Sequence, residues 1–223
     1  TLSSSSAASD VYKRQMSFVR EFIAHLFPRM VRRNDLKLTY TFCLGGLAFT
    51  AFLLLMASGL LLLFYYQPTA EGAFASILFL EEQVTGGKYL RSLHRISSHA
   101  LLVLLFLHTL RVIWTGAYRP PRQLNWLIGF ALLCLAVFAG YTGYLLPMDQ
   151  LALWATQTGM ELLHTLPGGG VLHAFLVPDG IGGTLSLLRF YALHIVVLPS
   201  AMLVLISLHF YRVRKDKGVL PYL

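Results

Sequence analysis

Four stretches of this chain, roughly 40–66, 92–116, 125–146 and 187–211, are each apolar over about the 20 residues that a helix needs to cross the hydrocarbon core of a bilayer. No fifth qualifies. The segment 150–180 is interrupted by Pro167, Gly168, Gly169, Gly170 and Pro178, so it reads as short surface helices and loop. The predicted fold class is therefore all-α, an integral membrane four-helix bundle. With 56% of residues hydrophobic and 13% charged, a soluble domain is excluded.

The net charge of +8 is read as topology rather than nucleic-acid binding. Arg20, Arg29, Arg32, Arg33 and Lys37 precede the first span, Arg111, Arg119 and Arg122 flank the second connection, and Arg212, Arg214, Lys215 and Lys217 follow the fourth. Both termini are thus expected in the cytoplasm, with the 147–186 connection on the opposite, positive side. Residues 1–15, Ser/Ala-rich and ahead of Met16, are expected to be a non-native leader. Residues 16–38 read as an amphipathic cytoplasmic segment at the lipid surface, and 39–223 as the four-span domain. Cys43 and Cys134 lie in apolar runs and suggest neither a disulfide nor a zinc cluster.

Ionisable residues inside spans are costly and mark function. His94 and His108 lie fourteen apart in the second span, and His194 and His209 fifteen apart in the fourth. At 3.6 residues per turn these separations return to within roughly 40° and 60° of one face, about 21 Å apart along the axis. Both spans run in the same direction, so His94 is expected to meet His194 near the positive side, and His108 to meet His209 near the cytoplasm. Neutral imidazoles are good axial ligands for haem iron. Two such pairs predict two haems between the second and fourth spans. Gly45 and Gly59 in the first span, and Gly129 and Gly143 in the third, repeat the fourteen-residue spacing and would let a flat group approach the backbone. Arg91, Arg95, Arg111 and Arg189 lie within a turn of the histidines, where guanidinium groups could fork onto haem propionates. His25, His99, His164 and His173 read as core or interface residues.

The stretches FCLGG (42–46), RSLHR (91–95), LHTLRV (107–112), TGYLLP (142–147), DQ (149–150) and RFYALH (189–194) resemble cytochrome b6 and the short cytochrome b of related bacterial quinol complexes, over nearly all of Asp35–Leu223. The resemblance implies two b-type haems. The low-potential one would be held by His94 and His194, and the high-potential one by His108 and His209. It further implies a covalently attached c-type haem at Cys43, and a quinol pocket that includes Tyr144, Asp149 and Trp154. Implied partners are a separate three-span subunit completing that pocket, and a Rieske iron–sulfur protein or c-type cytochrome in a dimeric complex. Met148 and Ile96 stand where the family carries Trp, which with the glycine run at 168–170 favours a bacterial inner membrane over a thylakoid.

The expected function is transfer of electrons from a positive-side quinol site to a cytoplasmic-side quinone site, as one subunit of a quinol oxidoreductase. Two rivals are a dihaem membrane anchor of a hydrogenase or formate dehydrogenase, and a haem-free proton-coupled transporter with a histidine relay.

Overall fold

The computed structural model describes residues 19–23 and 42–216, which are nearly all helical and contain no strand. The expected leader and most of the amphipathic segment, with His25 and Lys37, lie outside the described residues. Residues 19–23 are helical. The helices that follow are α1 (Leu44–Leu62), α2 (Gly72–Glu82), α3 (Gly87–Trp114), α4 (Gln123–Leu145), α5 (Gln150–His164), α6 (Gly169–Leu176), α7 (Thr184–Ala192) and α8 (Leu198–Lys215). A π-helical turn, Leu193–Val197, joins α7 to α8.

Four helices among the described residues are long and apolar enough to cross a membrane: α1, α3, α4 and the continuous run Thr184–Lys215. Their outward surfaces suit lipid, since Leu60, Val103, Leu127 and Val204 are each more than half exposed. Cys134, read from sequence as a packing residue, is likewise exposed.

The span ends differ from expectation for local reasons. Phe42 and Cys43 both have positive φ, so α1 starts at Leu44. Gly86 is also left-handed, and α3 begins immediately after it. There a Cβ on Gly87 would lie 1.9 Å from the Leu80 carbonyl oxygen, so only glycine lets α3 start against the end of α2. Helix α2 itself was not expected.

The π turn carries a wider, five-residue bond from Leu198 N–H to the Leu193 carbonyl. Pro199 explains its place. Proline lacks an N–H, and its ring crowds the carbonyl four residues back, which belongs to Ile195 inside the turn. A π turn takes up one extra residue, so a fifteen-residue spacing that includes it counts as fourteen in α-helical register.

The backbone divides into two compact units. One joins Leu44–His108 to Leu132–Leu203. In it, Leu145, Met160, Leu176, Val177 and Phe190 form a buried cluster that seats α5, α6 and α7 against the end of α4. Asp149 caps α5 by accepting the Ala152 N–H at 2.8 Å. The other unit comprises, among the described residues, 19–23, 42–43, 109–131 and 204–216. Within it, Phe22 lies 5.4 Å from Tyr211, and Trp126 packs between Tyr118 and Phe130.

Candidate functional site

In the first unit, His94 of α3 and His194 of the π turn face each other, with ring centroids 6.3 Å apart and planes at 73°. Each ring is gripped at Nδ1. Ser58 lies 2.9 Å from His94 Nδ1, and its hydroxyl proton is directed to the Leu54 carbonyl at 2.6 Å. Its oxygen is therefore an acceptor towards the imidazole, so His94 carries its proton on Nδ1. His194 Nδ1 lies 3.1 Å from the Ala139 carbonyl, which can only accept, and 3.2 Å from the Thr142 hydroxyl. Both rings are thereby left with a bare Nε2, the nitrogen that ligates a metal. Ser58 and Thr142 are almost wholly buried, at 2% and 0% exposure, and each hydroxyl is satisfied both by a carbonyl of its own helix, Leu54 and Ala139 respectively, and by an imidazole.

The glycines stand one to a histidine. A Cβ on Gly59 would lie 3.2 Å from His94 Cε1, and one on Gly143 only 2.5 Å from His194 Cε1. The other two repeat the relation: Gly45 to His108 Cε1 at 3.3 Å, and Gly129 to His209 Cε1 at 3.1 Å. The first span thus backs the histidines of the second, and the third span those of the fourth.

A cavity of about 420 Å³ opens on His94 and His194, and Arg91, Arg95, Tyr144 and Asp149 also line it. Arg91 is in addition ion-paired with Glu81 at the end of α2. Arg189 does not line the cavity. Its guanidinium lies 4.9 Å over the Phe175 ring. Trp154 is exposed and away from the cavity lining, whereas His99, read from sequence as a core or interface residue, is exposed on it. Arg111 is in the last turn of α3, and Cys43 is exposed just before α1.

Sequence reasoning missed Ser58 and Thr142. The signal was available, because each hydroxyl immediately precedes one of the spaced glycines, Gly59 and Gly143. It also missed Tyr66, whose hydroxyl donates to the Leu146 carbonyl at 2.6 Å on the cavity wall.

The arrangement suits a planar metal macrocycle. With metal–nitrogen bonds of about 2 Å, two imidazoles sharing one iron would have ring centres roughly 6 Å apart. The observed 6.3 Å, the bare Nε2 atoms and the glycine-lined flanks fit that geometry.

Fold and site together define an all-helical membrane protein with paired imidazoles inside its spans. The family profile "Cytochrome b(N-terminal)/b6/petB" matches residues 99–222. Cytochrome b6 of Heliomicrobium gestii is 42% identical over 174 residues, covering 78% of this chain and 82% of that protein. The menaquinol:cytochrome c reductase cytochrome b subunit of Bacillus subtilis is 36% identical, covering 88% of this chain and 89% of its own. Among solved structures, a chain of a hyperthermophilic respiratory Complex III superposes with a TM-score of 0.77 at 24% identity, covering 94% of this chain and 55% of its own, which supports the fold. The chain belongs to the cytochrome b/b6 family. It is a membrane electron-transport protein of the oxidoreductase class, and b-type haem is the cofactor that membership brings with it.

Proposed function

We propose that the chain is the dihaem cytochrome b subunit of a quinol:electron-acceptor oxidoreductase of the b6f/bc type, carrying electrons from a positive-side quinol site to a cytoplasmic-side quinone site. The observation that carries the reading is the facing pair His94 and His194, each fixed at Nδ1 and open at Nε2. Their partners would be b-type haem iron. A haem held by His94 and His194 would supply one-electron transfer. His108 and His209 are the second pair, supported by the same glycine backing at Gly45 and Gly129.

The protein's own groups do the positioning. Ser58, Thr142 and the Ala139 carbonyl hold the rings in the tautomer that ligates, and raise their basicity. Arg95 on the cavity, together with Arg91, Arg111 and Arg189 at span ends, would neutralise propionates. Tyr144 and Asp149 supply the polar groups of the quinol pocket. Asp149 Oδ1 is engaged with Ala152 N–H, which leaves Oδ2 to accept a hydrogen bond from a quinol hydroxyl. Trp154 is a further wall residue of that pocket once a separate three-span subunit completes it. Cys43 would hold a c-type haem through its thiol.

A Rieske protein or c-type cytochrome takes the other electron, in a dimeric complex of the bacterial inner membrane with both termini cytoplasmic. The Bacillus relative named as a menaquinol:cytochrome c reductase subunit supports this assignment. It also weighs against the hydrogenase or formate dehydrogenase anchor and against the transporter. A pyridine haemochrome assay on the purified protein should give two b haems per chain. Haem-free protein from cells competent in haem insertion would overturn the reading.

A further inference from the structure

The run Gly168–Gly170 serves none of the groups described above. It builds a tight corner between α5 and α6. Gly168 adopts φ +77°, which side chains resist. A Cβ on Gly169 would lie 1.8 Å from the Leu163 carbonyl oxygen, so α6 can start flush on the last turn of α5 only with glycine there. A Cβ on Gly170 would meet only His164, at 3.8 Å from Cε1 and Nδ1, so the imidazole lies alongside this residue. His173 follows three positions later, on the same helical face.

The outcome is a further pair of histidines, apart from the four in the spans. The rings of His164 and His173 have centroids 4.3 Å apart and planes tilted by 46°. His164 is exposed and His173 partly so, which places both outside the core. The helices that carry them are anchored underneath: Leu176 belongs to the buried cluster and Leu163 packs against it. The two imidazoles are thus presented on a rigid corner, outside the spans.

Imidazole suits zinc and copper. Two imidazoles on neighbouring positions of one such ion have ring centres roughly 4.5–5 Å apart at metal–nitrogen bonds of about 2 Å. The observed pair is within a small side-chain adjustment of that spacing. We propose that His164 and His173 form a binding site for a divalent transition-metal ion of the zinc or copper kind, independent of the haem histidines. No group of three or more His, Cys, Asp or Glu able to hold a metal occurs among the described residues, so water completes the coordination.

The test is equilibrium dialysis of the intact protein in detergent against zinc chloride, with wild type, His164→Ala, His173→Ala and the double variant. Wild type should hold one more zinc per chain at micromolar concentration than any variant. Each single replacement should weaken that site at least tenfold, with little further loss in the double variant, because the two rings act as one chelate. Copper(II) bound to wild type should show electron paramagnetic resonance couplings to two imidazole nitrogens. That signal decides the matter even where a variant fails to assemble. Equal zinc binding in all four proteins, loss in only one single variant, or copper without two-nitrogen coupling would overturn the site.

Discussion

Ser58 holds His94 through an oxygen that can only accept: its proton is directed to the Leu54 carbonyl at 2.6 Å, and His94 Nδ1 lies 2.9 Å away. His194 is held in the matching way, by the Ala139 carbonyl and the Thr142 hydroxyl, since His94 too is hydrogen-bonded to a backbone carbonyl, that of Leu55. Each ring of the pair thus has one hydroxyl and one carbonyl.

Ser58→Ala and Thr142→Ala should therefore each perturb the site by removing one of two Nδ1 partners. Losing the acceptor makes His94 a weaker donor to ferric iron, so the midpoint potential of the associated haem should rise. A net hydrogen bond is worth about 1 kcal/mol, which at 59 mV per tenfold for one electron is a few tens of millivolts. Thr142→Ala should move it in the same direction and by a similar amount, because a backbone carbonyl, Leu55 for His94 and Ala139 for His194, still holds each ring. Potentiometric titration checks both shifts, and a fall in potential in either variant would refute the assigned tautomers.

Replacing the four glycines by alanine should give a graded series. Gly143→Ala sets a Cβ 2.5 Å from His194 Cε1, closer than any real contact, whereas Gly45→Ala sets one 3.3 Å from His108. Overpacking of this kind costs about 1–3 kcal/mol. Gly143→Ala should release haem or convert it to a high-spin form, with Gly45→Ala nearest wild type. Haem content per chain measures the series.

Asp179 ties α7 to the loop before it. It accepts the Leu185 N–H at 2.8 Å and the Ser186 N–H at 2.9 Å, and a Cβ on Gly183 would lie 2.5 Å from its oxygens. The Ser186 hydroxyl, helped by these amides, holds the carboxyl below the usual aspartate range. A depressed folded-state value means that the stabilisation is present in full at neutral pH. It starts to fade near the unperturbed value of about 3.9 and is gone once pH falls through the folded one. Amide exchange at 185–187 should accelerate over that acid window in wild type, while Asp179→Asn should exchange fast at neutral pH as well.

Much of this was legible in the sequence because lipid enforces long apolar runs, so α1, α3, α4 and the run from Thr184 were each anticipated within a few residues. Helix α2 escaped notice because its 11 residues are too few to cross a membrane. The π turn escaped because periodicity cannot reveal one extra residue, although Pro199 marked the place. Ser58 and Thr142 looked like ordinary hydroxyls bonded to their own helix, as both also are, and only the fold brings their oxygens to imidazoles from distant spans.

Cys43 should carry a haem that survives denaturation. Peroxidase staining of a denaturing gel should mark a band at 25.0 kDa, and Cys43→Ser should abolish it while both b haems remain. An unstained wild-type band with intact b haems would assign the residue to packing alone.

If the four histidines form two independent pairs, redox titration of His108→Ala against wild type should separate them. Wild type should titrate as two low-spin b haems. The variant should lose one of them, the partner of His209, while the haem of His94 and His194 keeps its potential and spectrum. Equal loss of both haems from a protein that remains folded, or carbon monoxide binding by both haems of wild type, would contradict the pairing.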